Sequence, residues 1–231
     1  MPGLLPDVDP DGLLEYSVVF TDRSLNHMSK TFQGVMNDIS VTLKGVYNAA
    51  AVVVVPGGGT FGMEAVARQF ATARRCLVIR NGWFSYRWSQ ILEQGAITPD
   101  ISVMKARRLG DGPQAPFAPA PIEDVTARIA AEKPAVVFAP HVETSSGMLL
   151  PDDYVRAIAD AVHAVDGLFV LDCIASGDLW VDMRDCAVDV LISAQQKGWS
   201  AGPCCALVML GESAVERIQR TTSSCFAGVL R

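Results

Sequence analysis

The stretch LISAQQKGWSAG, residues 191–202, places a lysine shortly after an apolar run. The run DVLIS (189–193) is continuous rather than alternating, as expected for a strand buried on both faces. Ligands of open parallel sheets bind at the carboxyl ends of the strands, so Lys197 is a candidate functional residue. The alternative is a surface lysine whose stem lies along the sheet edge.

Six similar runs begin at residue 50, and helical patterns lie between them. The runs are AAVVVV (50–55), CLVI (76–79), ISVM (101–104), AVVFA (135–139), LFVLD (168–172) and ALVML (206–210). Apolar residues three and four apart predict helices in FGMEAVARQFATA (61–73), SYRWSQILEQG (85–95), PIEDVTARIAAE (121–132) and PDDYVRAIADAVHAV (151–165). This alternation predicts an α/β fold with three layers, α/β/α, around a mostly parallel central sheet.

The flanking segments complete this organisation. Residues 1–35 predict an N-terminal arm and the start of a first helix, which lies around HMSKTFQGVMNDISVTLKGVY (27–47). Residues 36–231 then form one large domain. The Gly- and Pro-rich segment 109–121 predicts a surface loop.

Charge and composition exclude several classes of function. The 231 residues include 25 acidic and 19 basic side chains, so the net charge of -6 disfavours a nucleic-acid partner. No apolar stretch approaches the roughly 18 residues of a membrane-spanning helix, and the first residues do not resemble a signal peptide, which favours the cytoplasm. Six cysteines without C-x-x-C spacing and three scattered histidines predict buried thiols and no metal site.

Glycines follow the first apolar run. Gly57, Gly58, Gly59 and Thr60 lead directly into a predicted helix, where free amides and the helix dipole favour an anion such as phosphate. The segment lacks the spacing of a nucleoside triphosphate loop and of a dinucleotide fold. A tight strand-to-helix turn is the alternative interpretation.

Polar and aromatic residues follow three other runs. Asp172 closes LFVLD, as a carboxylate that caps a helix, faces solvent or keeps a ring nitrogen protonated. Glu143, Thr144, Ser145 and Ser146 follow AVVFA, where the hydroxyls either bind a ligand phenolate or cap the turn. The aromatic segment WFSYRW (83–88) either stacks on a flat cofactor or packs in the core and at an interface.

A phosphate cradle, a stacking ring, a strand-end acid and a strand-end lysine are together the groups that pyridoxal 5'-phosphate needs. A partly desolvated lysine amine forms an imine with a carbonyl. The sequence therefore predicts a pyridoxal-phosphate site at the carboxyl edge of the sheet.

Five segments resemble class V, fold type I pyridoxal-phosphate enzymes, closest to the alanine-glyoxylate and serine-glyoxylate aminotransferases. They are PGGGTFGMEAV, RNGWFSYRW, HVETSSGMLLP, LDCIASGDLWVDM and DVLISAQQKGWSAGP, in this order over roughly residues 15–215. The resemblance implies that Lys197 and Asp172 are catalytic, as the imine-forming lysine and the partner of the pyridine nitrogen. It also implies that the cofactor contacts include Gly58, Gly59, Thr60, Phe84, Thr144, Ile174 and Gln196.

The resemblance also implies a reaction and an assembly. The expected reaction is ping-pong transamination from a small amino acid, alanine or serine, to a 2-oxo acid such as glyoxylate, in a homodimer. Members of the family continue into a smaller C-terminal domain, so we expect a truncated product that binds cofactor and catalyses weakly or not at all. A cysteine desulfurase or lyase is the alternative enzyme, and a non-catalytic binding protein is the alternative outside enzymes.

Overall fold

The computed structural model describes residues 30–221, 223–224 and 230. The predicted arm (1–29), His27 and Cys225 therefore lie outside the described residues. The chain divides into two units, residues 1–42 and 43–231, and the described part of the first unit is the beginning of helix α1. The site described below lies in the second unit.

Six helices and eleven strands are present in the described residues. The helices are α1 (Lys30–Tyr47), α2 (Gly59–Phe70), α3 (Trp83–Gln94), α4 (Ile122–Glu132), α5 (Asp152–His163) and α6 (Glu212–Arg220). The strands are β1 (Ala51–Pro56), β2 (Cys76–Arg80), β3 (Ile101–Lys105), β4 (Arg107–Arg108), β5 (Phe117–Ala118), β6 (Val136–Pro140), β7 (Val142–Glu143), β8 (Met148–Leu149), β9 (Leu168–Asp172), β10 (Val190–Ala194) and β11 (Cys205–Leu210).

Seven strands form the central sheet in the order β1-β11-β10-β9-β6-β2-β3. These are the seven apolar runs of the sequence, so the predicted strands are confirmed. β11 runs antiparallel to both of its neighbours, while all other adjacent pairs are parallel. The sheet is therefore mostly parallel, with one reversed strand next to its β1 edge.

Helices cover both faces of the sheet. One continuous core joins the buried side chains of α2, α3 and α6 to alternate strand residues such as Val78 and Phe138. Because successive strand residues point to opposite faces, Val137 and Phe169 lie on the other face, where α5 contacts β9 and α4 packs on α5. The predicted α/β/α layering is confirmed.

The edge strands differ from the central ones in burial. Every residue of β6, β9, β10 and β11 is buried, as the continuous apolar runs predict. The residues of β1 and β3 are mostly half-buried, because each of these strands has a neighbour on one side only.

The described cysteines follow the predicted pattern with one exception. Cys204 is exposed, at the end of the loop between β10 and β11, so the expectation of a buried thiol is wrong there. The other described thiols are buried and free: Cys76, Cys173, Cys186 and Cys205. No group of three or more potential metal ligands occurs in the described residues, and none of their helices is long and apolar enough to cross a membrane.

Candidate active site

One cavity of about 180 Å³ collects the residues that the sequence singled out. Its walls come from the segments that follow β1, β2, β6, β9 and β10, five strands that run in the same direction. Their carboxyl ends meet at one edge, and in the ladder Asp172 pairs with Pro140 of β6 and Ile192 of β10. The nine predicted site residues all line this cavity: Gly58, Gly59, Thr60, Phe84, Thr144, Asp172, Ile174, Gln196 and Lys197.

Larger hollows elsewhere on the surface lack this chemistry. One cavity of about 510 Å³ lies between Asn48, His163 and Glu212 and contains none of the predicted residues. The smaller cavity is the candidate site because it combines a lysine, a buried acid and two helix starts.

Asp172 is the buried acid of the cavity. It is 7% exposed, and its Oδ1 accepts a hydrogen bond from the backbone N–H of Ile174 at 3.0 Å. Burial raises the pKa of Asp172 to about 6, against the lowering effects of that hydrogen bond and of the Arg87 charge. The Glu143 charge raises the pKa further. A cation placed against this carboxylate would compensate its desolvation.

Lys197 lies in a loop that connects two adjacent strands, β10 and β11. Its N–H donates to the carbonyl of Ala194 at 3.1 Å, and Ala201 N–H donates to the Gln195 carbonyl at 3.0 Å. A Cβ atom on Gly198 would overlap the carbonyl oxygen of Gly177, so this loop lies directly against the segment that follows β9. The structure thus fixes the backbone on both sides of the lysine.

The partial desolvation of the Lys197 amine stays a prediction. Lys197 is an exposed residue, although its side chain lines the cavity.

The glycines after β1 form an open helix start. Gly57 has φ = +104°, and a Cβ atom there would lie 2.6 Å from the ring of Phe61, so this position requires glycine. A Cβ atom on Gly59 would lie 2.6 Å from Cδ1 of Ile174. Within the described residues, no side chain caps α2 and its first turn contains no acid. Its first amides are therefore available to an anion.

Arg87 brings a positive charge to this helix start. Its Nη1 donates to Oγ1 of Thr60 at 3.0 Å, and its guanidinium lies 5.7 Å from the centre of the Phe84 ring. Arg87 lies within the aromatic segment 83–88 and lines the cavity, although it is not among the predicted site residues. The available signal was its spacing of three from Phe84, which puts both side chains on one face of α3.

Gln196 contributes an amide with unused hydrogen-bonding capacity. Its Oε1 is buried and has no partner in the described part of the chain. A Cβ atom on Gly58 would lie 3.9 Å from Nε2 of the same side chain. The amide nitrogen of Gln196 carries two N–H donors, and rotation of the amide by about 180° exchanges the positions of its nitrogen and oxygen. Gln196 therefore has the capacity to donate a hydrogen bond to an anion at the start of α2.

The hydroxyls after β6 divide into two roles. Thr144 lies in the turn between β7 and β8 and lines the cavity. Ser145 instead donates to the Glu143 carboxylate at 2.6 Å and accepts the backbone N–H of Trp83 at 2.8 Å. Ser145 therefore contributes to the cap of α3, and the contact of Thr144 with a ligand phenolate stays a prediction.

The aromatic segment also divides. Trp88 is fully buried and stacks on Phe138 with 4.3 Å between ring centres, while Trp83 is exposed. Phe84 is 39% exposed and its ring forms part of the cavity wall. Only Phe84 is therefore placed to contact a ligand in the cavity.

Comparison with known proteins identifies the family of this chain. The family model described as aminotransferase class-V matches residues 13–223. An L-aspartate–glyoxylate aminotransferase of Paracoccus denitrificans is 26% identical over 199 residues, covering 85% of this chain and 48% of that protein. An alanine–glyoxylate aminotransferase of Rattus norvegicus is 26% identical over 200 residues, covering 85% and 45%.

Solved structures share the fold. The crystal structure of an alanine–glyoxylate aminotransferase from Nostoc sp. superposes with a TM-score of 0.76 at 22% identity, over 89% of this chain and 53% of that chain. The chain spans about half the length of the relatives that it matches. Since the family model covers most of its residues, the chain belongs to the class V aminotransferase family.

Proposed function

We propose that this chain is the cofactor-binding part of a pyridoxal-phosphate-dependent aminotransferase. The observation that carries the proposal is the single cavity lined by all nine residues implied by the family resemblance. Within it, the buried carboxylate of Asp172 ends strand β9, and the amine of Lys197 lies on the loop that follows the adjacent parallel strand β10.

Helices α2 and α3 both begin at the cavity, and the phosphate group is favoured at only one of these two starts. The start of α3 is satisfied by the chain's own carboxylate, since Glu143 accepts the N–H groups of Phe84 and Ser85. The start of α2 has no such cap in the described residues and lies beside the Arg87 guanidinium. A doubly charged phosphate is therefore favoured at α2.

The remaining residues suit an aromatic aldehyde that carries a ring nitrogen. We assign Asp172 to the protonated ring nitrogen, Phe84 and Ile174 to the ring faces and Thr144 to the phenolic oxygen. Lys197 would hold the cofactor covalently. When bound, pyridoxal phosphate supplies an electron sink for charge that develops at the substrate α-carbon.

The protein groups would then act on protons at two positions. The Asp172 carboxylate would keep the proton on the ring nitrogen, and the Lys197 amine would move the proton of the substrate α-carbon. Because Lys197 is an exposed residue, we expect its side chain to rotate between holding the cofactor and moving the substrate proton.

The proposed substrates are a small amino donor, alanine or serine, and a 2-oxo acid acceptor such as glyoxylate. The named relatives support a glyoxylate acceptor, because the L-aspartate–glyoxylate and alanine–glyoxylate enzymes share it. A cytoplasmic location stays a prediction. We also propose that the protein is a homodimer, which analytical sedimentation tests. A strictly monomeric profile would contradict the dimer.

Spectroscopy tests the cofactor proposal. Titration of the purified chain with pyridoxal phosphate is expected to produce the visible absorbance of a lysine-linked cofactor. Lys197→Ala is expected to lose this band, whereas Lys44→Ala, at an exposed helix position, keeps it. The absence of the band in the unmodified chain, or its survival in Lys197→Ala, would refute the proposal.

Product analysis tests the reaction. Mixing the loaded protein with L-alanine or L-serine and glyoxylate is expected to yield glycine. Release of sulfide from L-cysteine in place of glycine formation would support the desulfurase alternative.

A further inference from the structure

Glu143 is a buried carboxylate that does not itself line the cavity, although it lies one residue before Thr144. It is 0% exposed and ends the short strand β7. A buried carboxylate is costly unless it is paired or accepts several hydrogen bonds. The partners of Glu143 therefore indicate what it does.

Both oxygens of Glu143 accept hydrogen bonds from the start of α3. Oε1 accepts the backbone N–H of Phe84 at 3.1 Å, and Oε2 accepts the N–H and the hydroxyl of Ser85 at 2.8 and 2.7 Å. Oε1 also accepts the Ser145 hydroxyl at 2.6 Å. Burial acts to raise the pKa of Glu143, but these hydrogen bonds outweigh it and hold the pKa below its usual range.

Together these bonds satisfy the amides that an α-helix leaves without partners at its start. The first three amides of α3 belong to Trp83, Phe84 and Ser85; Ser145 Oγ accepts the first, and Glu143 accepts the other two. The fourth is the amide of Gly82, which donates to the Ser85 hydroxyl at 3.1 Å, and the Tyr86 amide makes the first bond within the helix, to the Gly82 carbonyl at 3.2 Å. A negative charge in this position also interacts favourably with the helix dipole.

The chain makes room for this contact at Gly82. A Cβ atom there would lie 2.7 Å from Cγ of Glu143 and would overlap the Ser145 hydroxyl. The close approach of two segments separated by 58 residues thus depends on the missing side chain.

From this geometry we infer that Glu143 is a positioning residue for the cofactor site. It fixes the first turn of α3, and through it the Phe84 ring and the Arg87 guanidinium that line the cavity. By occupying the start of α3 with a negative charge, it also directs the phosphate to the start of α2. The second part of this inference rests on the proposed function.

Glu143→Gln tests the inference, because it keeps the shape and removes the charge and one acceptor oxygen. The matched control is Glu212→Gln, the same change at the start of α6, where the side chain is 79% exposed. Ser145→Ala is a milder second variant that removes the acceptor of the Trp83 amide. It keeps the experiment informative should Glu143→Gln fail to fold.

The first readout needs no cofactor. Amide hydrogen exchange of Phe84 and Ser85 is expected to accelerate about tenfold or more in Glu143→Gln, and that of Trp83 in Ser145→Ala. Glu212→Gln leaves all three rates unchanged. Unchanged exchange in both variants would overturn the anchoring role, whether or not the chain binds pyridoxal phosphate.

The second readout uses pyridoxal phosphate itself. Glu143→Gln is expected to weaken the binding of pyridoxal phosphate about tenfold and to change the circular dichroism of the cofactor band. The reason is that the Phe84 side chain beside the cofactor ring is no longer held in one position. The lysine link still forms in this variant, as borohydride trapping at Lys197 would report. Wild-type affinity and an unchanged dichroism band in Glu143→Gln would overturn the cofactor-positioning role.

Discussion

The buried carboxylate of Asp172 is expected to destabilise the cofactor-free chain at neutral pH, and Asp172→Asn tests this. The folded pKa of about 6 lies above the ordinary value of 3.8. At 1.36 kcal/mol per pKa unit, the difference corresponds to about 3 kcal/mol. The side chain is nearly fully buried, so solvent screens little of this penalty.

The pH dependence has a definite sign. Below about pH 4, Asp172 carries a proton in both the folded and the unfolded chain, and the penalty is absent. Between about pH 4 and pH 6 the unfolded chain releases the proton while the folded chain retains it, so the free energy of unfolding falls. Above about pH 6 the carboxylate is charged in both states, and the loss is complete.

Asparagine removes the ionisation and keeps the shape. Its Oδ1 still accepts the Ile174 N–H, while its Nδ2 adds a buried donor that reduces the gain. We therefore expect Asp172→Asn to be more stable than the unmodified chain by about 1–3 kcal/mol above about pH 7. At about pH 4 the part of this stability difference that comes from the ionisation of Asp172 is expected to be absent. The same variant is expected to lose pyridoxal-phosphate-dependent activity, since the charge opposite the ring nitrogen is gone.

Urea unfolding without cofactor, followed by far-ultraviolet circular dichroism from about pH 4 to pH 8, measures this difference. Asp111→Asn, in the exposed loop after β4, is the matched control and should follow the unmodified chain at each pH. A stability difference that is constant across the pH range, or a variant that is less stable at neutral pH, would refute the reasoning.

Two further changes probe the phosphate end of the cavity. Arg87→Met removes the charge beside Thr60 and is expected to weaken pyridoxal phosphate binding about tenfold or more. Unphosphorylated pyridoxal is expected to bind as it does to the unmodified chain. Equal losses of affinity for both compounds in absorbance titrations would contradict a phosphate contact. Gly59→Ala places a Cβ atom 2.6 Å from the end of Ile174 and is expected to cost about 1–3 kcal/mol of stability, measured by urea unfolding, and to lower cofactor affinity. Unchanged values would indicate that Ile174 moves aside freely.

The strands of the central sheet were predictable because burial on both faces leaves a continuous apolar run. Their mostly parallel direction was also predicted, but the reversal of β11 was not, because it depends on pairing with both β1 and β10. The two-residue strands β4, β5, β7 and β8 are too short for any periodicity. Helix α6 was missed because only Ala214 and Ile218 of its nine residues are buried.

The cavity was predictable to the extent that its residues follow strand ends, as Asp172 and Lys197 do. Glu143 was recognised as unusual, but its bonds to Ser85 join segments 58 residues apart and leave no local pattern. The bond of Arg87 to Thr60 likewise spans 27 residues, and only its spacing of three from Phe84 is visible in the sequence. Such contacts follow from the sheet order, which the apolar runs alone do not determine.

The loop that carries Lys197 has a mechanical consequence. Both of its ends enter interior strands that pair with each other, Ala194 opposite Ala206, and backbone hydrogen bonds within the loop further restrain it. We therefore expect the amine to change partners by bond rotations along its own four-carbon chain, with the peptide framework standing still. The exchange of Lys197 between the cofactor and the substrate proton therefore requires no hinge motion of the backbone.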